Sequence, residues 1–379
     1  MYFSDAPYFG GAEKYLELLI AALDRDRFNP CVVVRADADL GGFKERLQAI
    51  GVRVFETVLG SPYHFRGYWD LLRIVNRWKP DILHINLAGT YDAQASLVAP
   101  VARAAGCRLA VSTEHLAMVE KLWKRHLAKR ISTLFIHRVI SITRSNVRFL
   151  TEVHRVSPSR IEVIHNGVDL AELDDTRPSG VRSSVGLADS AFLFAVVGSL
   201  IERKGHRTLL DAFASLGATS GGPSALLVVG AGPEERRLRR RTRQLGLEGS
   251  VSFLGHREDV RNVMRDIDCL VVPSLMEGMP FVILEAMAAS KPVIASRIYG
   301  IPEVVVEEET GLLVSPSQPL ELCAAMRKIM DSRELARSMG EAGRDRVEKH
   351  FTSAAMADRV ESVYESLLRP GAAGGGLAP

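Results

Sequence analysis

Two apolar periods alternate along this chain. Short, continuous apolar runs are followed by longer segments whose apolar residues recur every three or four positions. The first pattern is that of strands buried on both faces and the second that of amphipathic helices. In the first half, residues 30–34, 52–55, 81–85, 109–112 and 139–142 predict strands, and 12–23, 41–50, 69–78, 94–105 and 120–135 predict helices. In the second half, residues 192–198, 225–230, 251–254, 269–273, 293–296 and 311–314 predict strands. Such alternation predicts parallel sheets covered by helices, the α/β class. Asp, Pro, Gly and Ser cluster between 168 and 185, which divides the pattern in two. One Rossmann-like domain is expected over 1–168 and another over 169–351, followed by an amphipathic helix over 352–368. The end, residues 369–379, is low-complexity and is expected to be disordered.

The 379 residues suit two cores better than one. At 47% hydrophobic and 25% charged the composition is globular. The longest apolar runs, such as Phe192–Val197, fall far short of a bilayer span. No leader pattern opens the chain. Cys31, Cys107, Cys269 and Cys323 are scattered in apolar settings, which predicts buried thiols in a cytoplasmic protein, not disulfides or a metal site. The net charge of +3 is uneven. Residues 1–170 hold 23 basic and 17 acidic residues (+6), and the remainder hold 25 and 28 (−3). A basic first half suits an anionic surface or acceptor. Nucleic acid is not expected, because no aromatic-interleaved basic patch or recognition motif is present.

The chemistry concentrates in Glu277-Gly-Met-Pro-Phe-Val-Ile-Leu-Glu285. A strand precedes it, Gly278 and Pro280 break the chain, and a helix follows with Pro280 expected at its first position. The N–H groups and dipole of that helix start favour an anion. Glu277 then lies in the loop, suited to sugar hydroxyls, and Glu285 lies in the second turn, suited to a ribose diol. Three further strand–glycine–helix junctions stand at Gly10-Gly11, at Gly198 to Lys204-Gly205, and at Gly230-Ala-Gly-Pro233. For the last, packing and ligand contact are equally plausible. At strand ends, His115 follows Ser112-Thr-Glu, and His84 and Asn86 point toward the crevice where α/β sheets bind ligands. Residues 120–135 interleave Lys121, Lys124, Arg125, Lys129 and Arg130 with Leu122, Trp123 and Leu127, a pattern that fits either a solvated basic face or a contact with anionic lipid.

Taken in order, Gly10-Gly11-Ala12-Glu13, Asn166-Gly-Val-Asp169, Gly198-x5-Lys204-Gly205, Glu277-x7-Glu285, Gly300-Ile-Pro-Glu303 and Thr310-Gly-Leu-Leu-Val314 resemble the retaining glycosyltransferases of the GT4 family, over nearly the whole chain. The resemblance implies the GT-B fold, two Rossmann-like domains facing across a cleft, with the last helix packing back on the first. It implies transfer from a nucleotide-sugar, UDP- or GDP-linked, to a glycan, lipid-linked or polysaccharide-precursor acceptor, with no metal or other cofactor required. It implies catalytic roles for Glu277, His115 and Lys204. Donor binding would involve Gly10, Gly11, Ser199, Arg203, Lys204, Arg257, Gly278, Met279, Pro280, Phe281 and Glu285. His84 and Asn86 would touch acceptor. Against the family pattern, Ser199 stands where an arginine is usual, which removes a cation that Arg203 or Arg207 would have to replace. The opening Met1-Tyr-Phe-Ser-Asp5 gives a shorter first strand than the family's, from either a trimmed strand or a start placed too late. Location at the cytoplasmic membrane face follows from the basic half. A non-catalytic nucleotide-sugar binder and a sugar-nucleotide epimerase share the fold; the epimerases lack the paired carboxylates.

Overall fold

The computed structural model describes residues 1–59, 65–87, 95–116, 123–175, 177–186, 191–217 and 224–369. The expected tail from 370 lies outside them. The chain divides into two compact units, one from Met1 to Gly167 with the segment from Ser353, the other from Val168 to Thr352.

The first unit runs β1 (Tyr2–Ser4), α1 (Gly11–Ala22), β2 (Cys31–Arg35), α2 (Gly41–Ala49), β3 (Arg53–Thr57), α3 (Phe65–Trp78), β4 (Ile82–Leu87), α4 (Ala95–Ala104), β5 (Leu109–Glu114), α5 (Trp123–Thr133), β6 (Arg138–Ser141), α6 (Ser145–Glu152) and β7 (Ile161–Val163). Its seven parallel strands are ordered β3-β2-β1-β4-β5-β6-β7. β1 is only three residues long, yet it is fully buried at the centre, with Tyr2 opposite both Val32 and His84. β7, at the edge, gave no sequence signal: three half-exposed residues are too few to show a period. Right-handed crossovers place α1 and α2 on one face of the sheet and α3, α4 and α5 on the other. Accordingly α3 packs on α4 and α4 on α5. Phe3, Val33, Leu83 and Ile85 of the strands meet Leu71, Val75 and Val98 of that second helical layer in one core.

The second unit runs α7 (Leu170–Asp174), α8 (Val181–Ser184), β8 (Phe192–Val197), α9 (His206–Gly217), β9 (Ser224–Val229), α10 (Glu235–Gln244), β10 (Val251–Gly255), α11 (Val260–Asp266), β11 (Cys269–Val272), α12 (Phe281–Ala288), β12 (Val293–Ser296), α13 (Ile301–Val304), β13 (Gly311–Val314), α14 (Pro319–Asp331) and α15 (Arg333–His350). Six parallel strands are ordered β10-β9-β8-β11-β12-β13, the dinucleotide-fold order. The core joins Phe192, Phe194 and Val271 to Leu209, Phe213 and Met326.

The last helix, α16 (Ser353–Leu368), packs on α1. Met356, Val360 and Tyr364 supply its buried stripe. Glu361 accepts from the Asp24 N–H at 2.8 Å and from Arg27 at 3.3 Å, which fixes its seat.

Candidate functional site

In the second unit the sheet grows outward in both directions from β8 and β11. The loops that leave the C-terminal ends of these two strands flank the switch point where open α/β sheets bind ligands. They are locked together. Gly205 has φ +69, and a Cβ there would stand 1.9 Å from the Pro273 carbonyl oxygen, so only glycine allows the approach. Leu275 N–H donates to the Arg203 carbonyl at 2.7 Å.

This closeness brings two predicted residues into contact. Lys204 Nζ lies 2.5 Å from Glu277 Oε1, and Ser274 Oγ donates to the same oxygen at 2.9 Å. Charge-assisted bonds of this kind orient a carboxylate firmly. Glu277 Oε2 has no partner among the described residues. Ser274 had no sequence signal beyond its place at the strand's end. α12 begins at Phe281, and Pro280 is its N-cap, one position before the first helical position expected of it. Met279, Phe281 and Glu285 are buried, with Glu285 in the second turn. Gly278 is half-buried beside them.

Ser199 is exposed on the β8 loop. Arg203 is exposed, and its Nη1 reaches the Met276 carbonyl on the β11 loop at 3.4 Å. Arg207 is exposed at the start of α9. Arg257 forms a two-point pair with Asp259 at 2.7 and 2.5 Å, so its charge is met within its own loop. The Gly230-Ala-Gly-Pro233 junction is explained by packing. A Cβ on Gly230 would stand 2.0 Å from the Gly198 carbonyl oxygen, and one on Gly232 2.5 Å from that of Leu200.

In the first unit the switch point lies between β1 and β4. After β1, Gly10 caps α1, and Glu13 reaches back to accept from the Gly10 N–H at 3.1 Å and from Ser4 Oγ at 2.8 Å. The three-residue offset from cap to glutamate is a sequence signature of this arrangement. Neither Gly10 nor Gly11 is required by the fold: φ is −146 at Gly10, and a Cβ on Gly11 would meet nothing within 4 Å.

The acceptor assignments to His84 and Asn86 are corrected. Both are 1% exposed, and their polar atoms are spent inside the fold. His84 bonds Tyr364 Oη through Nδ1 and Thr113 Oγ1 through Nε2, the latter at 2.7 Å. Burial holds its pKa down at about 3. Asn86 lies near the C-terminal end of β4, but His84 lies within the strand, and the inward side of the strand was not legible from sequence, since β4 is buried on both faces.

Asn86 instead faces His115. Its Nδ2 donates to the Ala12 carbonyl at 2.9 Å, which fixes the amide orientation, because a carbonyl only accepts. Asn86 Oδ1 therefore faces His115 Nε2 at 2.7 Å, so Nε2 must carry the ring proton. Burial lowers the His115 pKa to about 3, so the ring is neutral. Nδ1 is then an acceptor, and it has no partner among the described residues. The Tyr15 ring meets the imidazole edge-on at 4.9 Å.

The basic run also needs correction. Lys129 is buried, with Nζ 2.5 Å from Glu114 Oε1, and is not a surface charge. Arg130 is exposed and donates to the Val153 carbonyl at 3.1 Å. Leu127 is exposed, as contact with lipid would demand. Lys121, Leu122 and the side chains of Trp123, Lys124 and Arg125 lie outside the described residues.

Known proteins place this geometry. Residues 9–172 match the family described as glycosyltransferase family 4, and residues 181–346 match that described as glycosyl transferases group 1. The N-acetyl-alpha-D-glucosaminyl L-malate synthase of Bacillus anthracis is 25% identical, over 81% of this chain and 80% of its own. The UDP-Gal:alpha-D-GlcNAc-diphosphoundecaprenol alpha-1,3-galactosyltransferase of Escherichia coli is 26% identical over 79% of each. The D-inositol 3-phosphate glycosyltransferase of Segniliparus rotundus is 29% identical over 64% of this chain, which spans about half that protein's length (54%). Among solved structures, Anabaena Alr3699/HepE in complex with UDP superposes with a TM-score of 0.83 at 22% identity, covering 97% of this chain and 99% of that one, a likeness of fold. With both halves matched in order and two Rossmann-like units built as the GT-B fold requires, the chain belongs to the GT4 family of glycosyltransferases.

Proposed function

We propose that this glycosyltransferase takes its sugar from a nucleotide-sugar and transfers it with retention of anomeric configuration. The observation that carries the reading is the Lys204–Glu277 pair at the β8–β11 switch point, beside the start of α12 and the buried Glu285. Glu285 would take the ribose diol. The diphosphate would lie at the N-terminus of α12, where N–H groups and dipole meet its charge. Lys204 would share its charge between Glu277 and the leaving phosphate. Glu277 Oε2 would accept from a hydroxyl of the transferred sugar, and in the first unit His115 Nδ1 would offer an acceptor to a substrate hydroxyl. In the reaction the bond from the anomeric carbon to phosphate oxygen breaks. A bond from that carbon to the acceptor oxygen forms on the same face, and the acceptor's proton passes to the leaving phosphate. The protein's task is then to stabilise charge on the leaving group, and no protein nucleophile is needed. Gly10 and Gly11, which the fold itself does not require, would let backbone of the first unit approach a ligand closely.

The relatives' names support a sugar-nucleotide donor and a glycan or lipid-linked acceptor: the Escherichia coli relative is named for UDP-Gal and a diphosphoundecaprenol-linked sugar. We place the enzyme on such an acceptor at the cytoplasmic membrane face. Among the described residues no helix is long and apolar enough to cross a membrane, so this attachment would be peripheral. Titrating UDP-, GDP- and ADP-sugars by thermal shift tests the donor. One base should raise the midpoint over the others, and Glu285→Gln should reduce the rise. No response to any of the three would remove the nucleotide-sugar reading.

A further inference from the structure

The two faces of the first sheet differ in character at its centre. Phe3, Leu83 and Ile85 pack with the apolar side chains of α3 and α4. Alternation puts their neighbours Tyr2, His84 and Asn86 on the other face, with Thr113 opposite Asn86. All four are buried, and His115 joins them one residue past the end of β5. The hydrogen bonds of this polar row run in one direction. Tyr364 of α16 donates its hydroxyl proton to Tyr2 Oη at 3.0 Å. Its oxygen must then accept from His84 Nδ1–H. His84 Nε2 is therefore bare and accepts from Thr113 Oγ1 at 2.7 Å. Thr113 has then given its one proton, so at 3.3 Å it accepts from Tyr15 Oη. Burial raises the pKa of all three phenols and lowers that of His84, so each hydroxyl keeps its proton and the ring stays neutral. The line ends at Tyr15, whose ring meets the His115 imidazole at 4.9 Å and 77°. Three residues earlier on α1, the Ala12 carbonyl fixes Asn86, and Asn86 fixes His115 Nε2.

We infer that Tyr15 is a positioning residue for His115, held in place by a line of buried hydrogen bonds that ends on the last helix. The inference rests on the role proposed above for His115. α1 meets the imidazole twice, through Asn86 at a ring nitrogen and through Tyr15 at the ring, and so restricts it to one orientation with Nδ1 left as an acceptor. α16 packs on α1 and supplies Tyr364, the far anchor of the line. The two histidines carry opposite tautomers, Nδ1–H in His84 and Nε2–H in His115, each set by its own neighbours. Covering helices alone would be served by apolar side chains, as on the opposite face. A buried polar network in which each member is paired instead fixes one arrangement of its members.

The test combines nitrogen and proton NMR of the histidine rings with steady-state kinetics on the full chain. Without any sugar donor, the wild type should show His84 protonated on Nδ1 and His115 on Nε2. Tyr364→Phe removes the acceptor of the Nδ1 proton, so His84 should switch to Nε2–H and donate to Thr113. The ring-proton signals of His115 should move in Tyr364→Phe and Thr113→Val, and move further in Tyr15→Leu. Thr113→Ser keeps the hydroxyl and should restore the wild-type spectrum. With the nucleotide-sugar that most raises the melting midpoint, Tyr15→Leu should lose about tenfold in kcat/KM, the upper end of what an aromatic contact supplies. Tyr15→Phe and Thr113→Val each cut the line and should lose about threefold, the size of one neutral hydrogen bond. Affinity for nucleoside diphosphate should stay unchanged, because Glu285 and α12 are untouched. Unchanged His115 signals and kcat/KM in folded Tyr15→Leu overturn the inference, even where the melting midpoint falls. If that variant does not fold, the same result in Tyr15→Phe overturns it. A wild-type His84 protonated on Nε2 contradicts the line. A response in Tyr15→Leu with Tyr364→Phe like the wild type overturns the part given to the last helix. The ring spectra need no donor, so failure here is read separately from failure of the proposed reaction.

Discussion

The Asn86–His115 contact makes a prediction that can be worked through. In the wild type a neutral amide oxygen, 2.7 Å from Nε2, holds the imidazole with Nε2 protonated. Burial keeps the ring neutral down to about pH 3. Asn86→Asp would place a carboxylate at that point. With charge centres about 4 Å apart and an effective dielectric near 20, the attraction is about 4 kcal/mol. At 1.36 kcal/mol per pKa unit this raises the His115 pKa by roughly three, to about 6. The imidazolium would carry protons on both nitrogens, so Nδ1 could no longer accept from a sugar hydroxyl. The variant should therefore gain an acid limb in kcat/KM near pH 6, rising with pH, where the wild type has none from this group. Nitrogen chemical shifts of the histidine ring supply a readout independent of turnover: Nε2 protonated and Nδ1 bare in the wild type from pH 5 to 8, and titration near 6 in Asn86→Asp. A wild-type ring that titrates near its ordinary value, or carries its proton on Nδ1, would refute the reasoning, as would an unchanged pH profile in the variant.

Other outcomes follow from the same geometry. Gly230→Ala should cost about 3 kcal/mol, from the clash with the Gly198 carbonyl and the φ of +137, and should lower Tm by several degrees; an unchanged melt would contradict the packing explanation. Burial lowers the pKa of His84 and His154 to about 3 and of His206 to about 4. The unfolded chain then binds protons first as pH falls below about 6.5, so stability is greatest above that point and drops toward pH 4, by about 1.4 kcal/mol per pH unit for each such histidine. His206→Leu, in its apolar surroundings, should flatten that decline between pH 6 and 4.5, which Tm against pH would show. Glu285→Gln should weaken nucleoside diphosphate binding by about 1–3 kcal/mol by calorimetry, whereas Glu277→Ala should cut turnover and leave that affinity nearly intact. Ser199→Arg should raise turnover if the diphosphate site lacks charge, and an unchanged rate would show that Lys204 with the start of α12 suffices.

Much of the fold was legible because both sheets are parallel and buried. Apolar runs such as Phe192–Val197 and helical periods such as those over 12–23 and 41–50 mark their elements without help from the rest of the chain. β7 escaped because three half-exposed edge residues carry no period. The loop and helix start that carry Glu277 and Glu285 were legible because Gly278 and Pro280 obey local rules for a helix start. What pairs across loops was not. Lys204 meets Glu277 only because Gly205 lets two loops approach, a separation of 73 residues. Direction along a strand was likewise hidden: neighbouring residues on a doubly buried strand share the same character, so His84 and Asn86 read as ligand contacts although both are consumed inside. Lys129 read as a surface charge because its partner Glu114 is fifteen residues away.

The most direct measurement is of the reaction's first-formed product. Wild-type protein is incubated with the nucleotide-α-sugar that most raises its melting midpoint, and proton NMR follows the anomeric signals as nucleoside diphosphate appears. The account predicts stoichiometric release of nucleoside diphosphate, with the newly formed anomeric centre, in transfer or in slow hydrolysis, appearing first as α. First appearance of the β form, or tight donor binding with no nucleoside diphosphate released, would contradict it.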